Sequence, residues 1–278
     1  MLTEQELDRF ISFITERTGI IPLETHRRSI GKFVDKCLEN IESFAPQDKY
    51  MELLLSDESE LAALVNSSTV NETYFFREKQ QFTVLRDSIL PQWKLQNIGR
   101  PIRLWSEDEH TGEEAYSLVL LAKSLGLNPD MTVSDIDTSV LKRCNHGEFG
   151  KHSIRLHDGT EFRYLLDPYI QQDETVVFPK EITSLLKIKQ INLAKMHLPE
   201  NAILLPKNQD IIFIRNVFIY FSQEMREQIL QVLTEKCLAP NGYLFVSMSE
   251  TATLDETITP SNLEKLNDGF VYYFKKKA

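Results

Sequence analysis

A run of charged residues, SEDEHTGEEAYS at 106–117, stands between a stretch typical of a strand and one typical of a helix. A strand, a tight turn and a helix in this order often bind an anionic ligand group, because N–H groups point outward at the helix start. Gly112 would let such a ligand approach the backbone closely. Thr111 and Glu114 also fit a capping box, so Glu114 is either a capping residue or a ligand contact.

Two further acidic residues, Asp135 and Asp137, end the next apolar stretch, MTVSDID at 131–137. An acidic residue at the tip of the second strand, roughly twenty residues past the glycine turn, is placed to accept hydrogen bonds from ribose hydroxyls. The turn, the helix, the strand and the acid together indicate a nucleoside-containing cofactor. On these residues alone the cofactor is NAD or S-adenosylmethionine. The lack of a G-x-G-x-x-G pattern argues against the dinucleotide.

The elements that must position these residues alternate between strands and helices after about residue 100. This alternation predicts an α/β fold with a parallel sheet, whose ligands bind at the carboxyl ends of the strands. The segments CLAPNGYLFV at 237–246 and GFVYYF at 269–274 are similar to the closing part of the seven-stranded S-adenosylmethionine methyltransferase sheet. In that sheet the last strand is antiparallel.

The first seventy residues are instead predicted to be helical. Thr3 and Glu6 form a T-x-x-E capping box at the start of the first helix, and Gly19 ends it. A second helix is predicted from about residue 25 to residue 41. It carries a basic stripe of residues four apart, which is either a solvated face or a docking face for an acidic partner: Arg28, Lys32 and Lys36.

The composition narrows the class of protein. The net charge is -10, with 42% hydrophobic and 26% charged residues, which is ordinary for a globular protein and argues against general affinity for nucleic acid or anionic membranes. The acidic start MLTEQELDRF does not resemble a signal peptide, and no apolar run is long enough to span a bilayer. We therefore expect a cytoplasmic protein with reduced cysteines.

Four segments, taken in order, resemble the CheR-type chemotaxis receptor methyltransferases, which are protein-glutamate O-methyltransferases. They are VNETYFFRE at 70–78, TGEEAYS at 111–117, SDIDTSVL at 134–141 and IFIRNVFIYFSQEMREQIL at 212–230. The resemblance implies a Rossmann-like class I methyltransferase fold, with a seven-stranded sheet whose last strand is antiparallel. It also implies a helical N-terminal domain over residues 1–75 and a methyltransferase domain over residues 76–278, with a small β insertion at about 148–195.

The same resemblance implies methyl transfer from S-adenosylmethionine to receptor glutamates, leaving S-adenosylhomocysteine. Arg77 and Tyr220 take the catalytic positions, with Arg77 toward the methionyl carboxylate and Tyr220 toward the methyl group. Asp135 would bind the ribose. The implied cofactor-binding residues are Asn71, Thr73, Arg77, Glu114, Asp135, Asn192, Leu193, Arg215 and Asn216. Asn192 and Leu193 would flank the adenine, and Arg215 and Asn216 would lie by the methionine end. No metal is implied.

The implied partners are the cytoplasmic helices of methyl-accepting chemoreceptors, contacted through Arg28, Lys32 and Lys36. We expect a monomer that inserts into no membrane and binds no nucleic acid. Whether the insertion grips a tethering peptide of the receptor is left open by the sequence.

The chain departs from the family just before T-G-E-E, where small residues are typical and this sequence has Glu107, Asp108, Glu109 and His110. Three explanations compete. The enzyme is active and the turn points these side chains to solvent; or the chain is a degenerate member that binds receptors or another partner without catalysis; or Asp108, Glu109 and His110 form a cation site. Buried carboxylates without partners would cost several kcal/mol or shift their pKa values.

Overall fold

The structure is a computed structural model, and it describes residues 2–67, 73–107, 111–155 and 157–278. Contacts between residues divide the chain into two compact units. The first comprises residues 1–71 together with Tyr220–Ser222, and the second comprises residues 72–219 and 223–278. No helix in the described part of the chain is long and apolar enough to cross a membrane.

The first unit is built from helices, in agreement with the sequence prediction: α1 Glu4–Thr18, α2 Glu24–Leu38, α3 Pro46–Ser56 and α4 Glu58–Asn66. The Thr3 side chain accepts from the Glu6 amide and the Glu6 carboxylate accepts from the Thr3 amide, so the predicted capping box forms. Gly19 ends α1 in the left-handed conformation. Apolar side chains of all four helices form one core, which includes Phe10, Ile14, Ile30, Val34, Tyr50, Leu54 and Leu64.

The second unit is built on a seven-stranded sheet with the order β5-β2-β1-β6-β7-β9-β8. Strand β9 runs antiparallel to β7 and to β8, whereas the pairs from β5 to β7 are parallel, which confirms the predicted antiparallel last strand. The strands are β1 Ile102–Glu107, β2 Pro129–Asp135, β5 Leu186–Gln190, β6 Gln209–Ile214, β7 Leu238–Phe245, β8 Leu263–Asp268 and β9 Val271–Lys276.

Helices cover the sheet and connect its strands. They are α5 Lys79–Val84, α6 Leu90–Gln96, α7 Glu113–Ser124, α8 Thr138–His146, α9 Lys180–Thr183 and α10 Gln223–Val232. Strands β3 Glu148–Phe149 and β4 Val176–Val177 form a separate antiparallel pair. Strand β5 lies inside the range predicted as an insertion, yet it pairs with β2 in the main sheet.

Candidate active site

The candidate site lies at the carboxyl edge of the sheet, where the strand order reverses. Strand β1 stands between β2 and β6, and Glu107 at its end is in register with Ser134 of β2 and Ile214 of β6. The next residues along those neighbours are Asp135 and Arg215. In open parallel sheets this reversal point is where ligands bind, so the topology brings three polar residues to the expected place.

Glu114, in the first turn of α7, is held by two groups from neighbouring strand ends. The Ser106 hydroxyl donates to one carboxylate oxygen over 2.5 Å, and the Arg215 guanidinium forms an ion pair with the other. The exposed fractions of the paired side chains are only 12% for Glu114 and 5% for Arg215. A buried ion pair of this kind fixes both side chains, because breaking it would leave a charge uncompensated.

The capping-box interpretation of Glu114 is therefore wrong. The N-cap of α7 is Gly112, at φ 108°, and the Thr111 hydroxyl donates to the carboxylate of Glu113 rather than capping the helix. Glu113 also accepts from the Ser153 hydroxyl over 2.6 Å. The two adjacent glutamates therefore make different contacts. Glu113 stabilises the turn through Thr111 and Ser153, and Glu114 binds residues at the strand ends.

Gly112 allows the close approach of this turn to α8. A Cβ atom there would stand 2.6 Å from the Cys144 Sγ, in a backbone conformation that disfavours side chains.

We expect Gly112→Ala to lower the free energy of unfolding by about 2–4 kcal/mol, from strain plus overpacking. Urea denaturation measures this value. The matched control is Gly99→Ala: Gly99 also has positive φ, but its Cβ would meet nothing within 4 Å. Equal losses in both variants would contradict the packing argument.

Arg77 lies between two residues with left-handed backbone conformations, Phe76 and Glu78, both at φ 56°. Such conformations are uncommon for side-chain-bearing residues and cluster at functional sites. The Arg77 carbonyl accepts from the Arg215 guanidinium over 2.6 Å, which brings two predicted site residues together. Burial raises the pKa of the Glu78 carboxyl, while the Arg215 guanidinium 3.8 Å away acts in the opposite direction.

Asp135 ends β2, and Asn192 lies two residues beyond the end of the neighbouring strand β5. Asp135 is paired in register with Gln190 of β5, and its carbonyl accepts from the Ile191 amide over 3.2 Å. The buried Asp135 carboxylate also accepts from the Asp137 amide over 2.7 Å. Asn192 is partly exposed and Leu193 is buried. Asp137 has a structural task, since its side chain caps α8.

Asn216 occupies the left-handed region at φ 62°, and a residue that the sequence analysis missed holds it there. The fully buried Glu250 carboxylate accepts from the amides of Asn216, over 2.8 Å, and Ile219, over 3.3 Å. It also accepts from the amide and the hydroxyl of Ser247. The Ser-x-x-Glu spacing of Ser247 and Glu250 was the available signal, because it is the spacing of a capping box.

The solvent-facing explanation of the charged turn is wrong for Glu107. Its side chain is buried, with the residue 4% exposed, and it accepts from the hydroxyl of Ser134. The Ser134 hydroxyl accepts in turn from the buried Trp105 indole over 2.6 Å. Asp108, Glu109 and His110 lie outside the described residues, and so does the cation site predicted from them. The described residues contain no group of three or more His, Cys, Asp or Glu side chains that could hold a metal ion.

The remaining predicted site residues are Asn71, Thr73 and Tyr220. Asn71 lies outside the described residues, and Thr73 is partly buried next to the Phe75–Phe76 segment. Tyr220 is buried and groups with the first unit, where its ring centroid lies 5.9 Å from that of His26 and its carbonyl accepts from the Ile21 amide.

The side chains at this edge fit S-adenosylmethionine by their chemistry. The Asp135 carboxylate is of the type that accepts from ribose hydroxyls. Guanidinium groups such as that of Arg77 suit a carboxylate, and the carboxylate of Glu107 suits a positive charge. The cofactor itself supplies an activated methyl group on a sulfonium, and the residues of the chain would hold and orient it.

Comparison with known proteins agrees with this interpretation. A family model described as CheR methyltransferase, SAM binding domain, matches residues 71–265. The chain is 32% identical over its full length to Chemotaxis protein methyltransferase 2 of Vibrio cholerae, covering 96% of that protein. It is 28% identical over 99% of its length to Chemotaxis protein methyltransferase 1 of the same organism, covering 98% of it. It is 30% identical over 90% of its length to the Chemotaxis protein methyltransferase of Escherichia coli, covering 85% of it. The chain therefore belongs to the CheR methyltransferase family, and its cofactor is S-adenosylmethionine.

Proposed function

We propose that the chain transfers methyl groups from S-adenosylmethionine to glutamate side-chain carboxylates of methyl-accepting chemoreceptors. The match of the family model over residues 71–265 carries this proposal, and the names of the relatives support the link to chemotaxis. The geometry supports it too, since the matched residues converge at the reversal point of the sheet.

The proposed cofactor placement follows the two groups of residues at that edge. Asp135 accepts from the ribose hydroxyls, and Asn192 and Leu193 flank the adenine. The methionine end lies toward Arg77, Glu114 and Arg215, together with Asn71, Thr73 and Asn216. The support for this placement is the contact of Asp135 with the β5 end, and the bonds from Arg215 to Glu114 and to the Arg77 carbonyl.

The chemistry that remains for the protein is mainly positioning. A glutamate carboxylate is already ionised at neutral pH, so the acceptor needs no strong base. The sulfonium is a good leaving group by itself. Bringing the acceptor oxygen, the methyl carbon and the sulfur into line is then the largest contribution that protein side chains can make. We assign Arg77 to the methionyl carboxylate and Tyr220 to the methyl group.

Labelled methyl transfer tests the proposed function. The purified chain is incubated with S-adenosylmethionine carrying a labelled methyl group and with membranes that contain the receptors of the source cell. The expected result is label on receptor protein that is released by base, as a methyl ester is. The Arg77→Ala variant should lose the label while remaining folded by circular dichroism. Absence of base-labile label with the unaltered chain, or only base-stable label, would overturn the proposal.

We also propose that the basic stripe of α2 contacts the acidic receptor substrate. Arg28, Lys32 and Lys36 are exposed, and the described residues offer none of them an ion-pair partner. Their neighbour Arg27 differs, because it pairs with Glu4 and Asp8 of α1. Three exposed charges with no structural task on an acidic chain support a surface for an acidic partner.

Charge reversal tests this stripe. We expect the triple variant Arg28→Glu, Lys32→Glu, Lys36→Glu to methylate receptors about tenfold more slowly at low salt, because steering of the acidic substrate is lost. The rate of the variant should also depend less on salt than that of the unaltered chain. The matched control reverses three exposed lysines of the second unit, Lys195, Lys207 and Lys236. An equal loss in both triple variants would reject a specific role for the stripe.

A further inference from the structure

Glu107, one of the four residues that depart from the family pattern, lies at the centre of the carboxyl edge of the sheet. It ends β1, the strand between β2 and β6, and its register partners are Ser134 and Ile214. These partners immediately precede Asp135 and Arg215. Since neighbouring strands lie about 5 Å apart, the Glu107 backbone is one strand spacing from the residues that precede Asp135 and Arg215, the proposed ribose and methionine contacts.

The Glu107 carboxylate is held in this place by a chain of two hydrogen bonds. The Trp105 indole donates to the Ser134 hydroxyl, and that hydroxyl donates to Glu107. Trp105 and Ser134 are both fully buried, so packing on these two strands fixes both hydrogen bonds. A hydroxyl donor stabilises a carboxylate and orients it while adding no positive charge of its own.

We infer that Glu107 makes the site selective for the positively charged cofactor over the neutral product. S-adenosylmethionine and S-adenosylhomocysteine share their adenine, ribose, ammonium and carboxylate groups. They differ in the sulfur, which is a methylated cation in the first and a neutral thioether in the second. A carboxylate at the tip of β1 attracts the cation through a partly desolvated medium and gains nothing from the thioether. Glu107 would then favour turnover, because it strengthens binding of the substrate cofactor and leaves binding of the product unchanged.

The inference rests on cofactor binding at the site proposed above, and the experiment separates the two. Calorimetric titrations measure the affinity of three ligands: S-adenosylmethionine, S-adenosylhomocysteine and sinefungin, which carries a protonated amine in place of the sulfonium. Failure of all three to bind the unaltered chain would refute the proposed site itself. If all three bind, the role of Glu107 is tested by the ratio of S-adenosylmethionine affinity to S-adenosylhomocysteine affinity in the variants.

The decisive variant is Glu107→Gln, which keeps the shape of the side chain and removes its charge. We expect it to bind S-adenosylmethionine and sinefungin about tenfold more weakly, and S-adenosylhomocysteine within twofold of the unaltered chain, as one charge interaction in a partly buried site predicts. The control is Asp130→Asn near the amino end of β2, a carboxylate paired with Lys187, which should leave all three affinities unchanged. Equal weakening for the three ligands, or no weakening, would overturn the inference.

A second variant covers the case in which Glu107→Gln does not fold, as judged by circular dichroism. Ser134→Ala removes the donor that orients the carboxylate and leaves Glu107 in the chain. We expect the ratio of S-adenosylmethionine affinity to S-adenosylhomocysteine affinity to fall at least threefold in this variant. An unchanged ratio in a folded Ser134→Ala protein would overturn the inference by itself.

Discussion

We expect the replacement of Arg215 by alanine to lower the affinity for S-adenosylhomocysteine about a hundredfold and to abolish methyl transfer. The guanidinium pairs with the Glu114 carboxylate and donates to the Arg77 carbonyl, so it connects the turn after β1 to the segment before α5. Removing one partner of a buried ion pair typically costs about 3–5 kcal/mol, since the other charge is left uncompensated. Here that charge belongs to Glu114, a residue we assign to the cofactor. Calorimetric titration and the labelled transfer assay measure the two losses.

Arg100→Ala is the matched control, because it breaks a comparable pair at the opposite edge of the same sheet. Arg100 donates from two nitrogens to the nearly buried Asp210 carboxylate over 2.8 and 2.9 Å. We expect this variant to lose stability and to bind S-adenosylhomocysteine as the unaltered chain does. If both variants lose affinity equally, the effect of Arg215 is a general loss of stability, and its assignment to the site is wrong.

We expect the replacement of Glu250 by alanine to lower the free energy of unfolding of the second unit by about 3–5 kcal/mol. Its carboxylate accepts from the amides of Asn216, Ile219 and Ser247 and from the Ser247 hydroxyl, in a fully buried position. Without it, buried donors lose their acceptor, and each costs about 1–3 kcal/mol unless water replaces the carboxylate. Because Asn216 directly follows Arg215, we also expect weaker binding of S-adenosylhomocysteine. Urea denaturation gives the change in the free energy of unfolding.

Two further variants define the role of Glu250. Glu250→Gln retains one carbonyl oxygen as acceptor, so its loss of stability should lie between that of the alanine variant and zero. Glu256→Ala removes an exposed glutamate from the following loop and should change the free energy of unfolding by less than about 0.5 kcal/mol. A Glu250→Ala loss as small as that of Glu256→Ala would contradict the role given to the buried carboxylate.

The parts of the fold that the sequence predicted are those where local pattern and tertiary packing agree. Thr3, Glu6 and Gly19 set the limits of α1 as expected, because a capping box and a left-handed glycine are local devices. Strand β8, with sequence LEKLND, was missed as an element: it is an edge strand with mostly exposed side chains and little apolar pattern. Its stability comes from pairing with β9, which the segment itself does not encode.

In the site, too, the sequence predicted local features but not contacts between residues far apart in the chain. Asp135 was predicted to end an apolar strand, and it ends β2, where it is paired in register with Gln190 of β5. The task of Glu114 could not be decided from sequence, because the same T-x-x-E spacing serves a capping box and a ligand contact. The structure rejects the capping box, because the Glu114 carboxylate is held by the Ser106 hydroxyl and by the guanidinium of Arg215, a residue far away in the sequence. The same limit applies to Glu250, whose amide donors Asn216 and Ile219 lie more than thirty residues away along the chain.

The measurement that tests the account most directly is titration of the purified chain with S-adenosylhomocysteine, beside the Asp135→Ala variant. We expect one-to-one binding with a Kd in the micromolar range for the unaltered chain and at least tenfold weaker binding for the variant, because the ribose hydroxyls lose their acceptor. No binding by the unaltered chain, or equal binding by a folded Asp135→Ala protein, would contradict the placement of the cofactor at the carboxyl edge of the sheet.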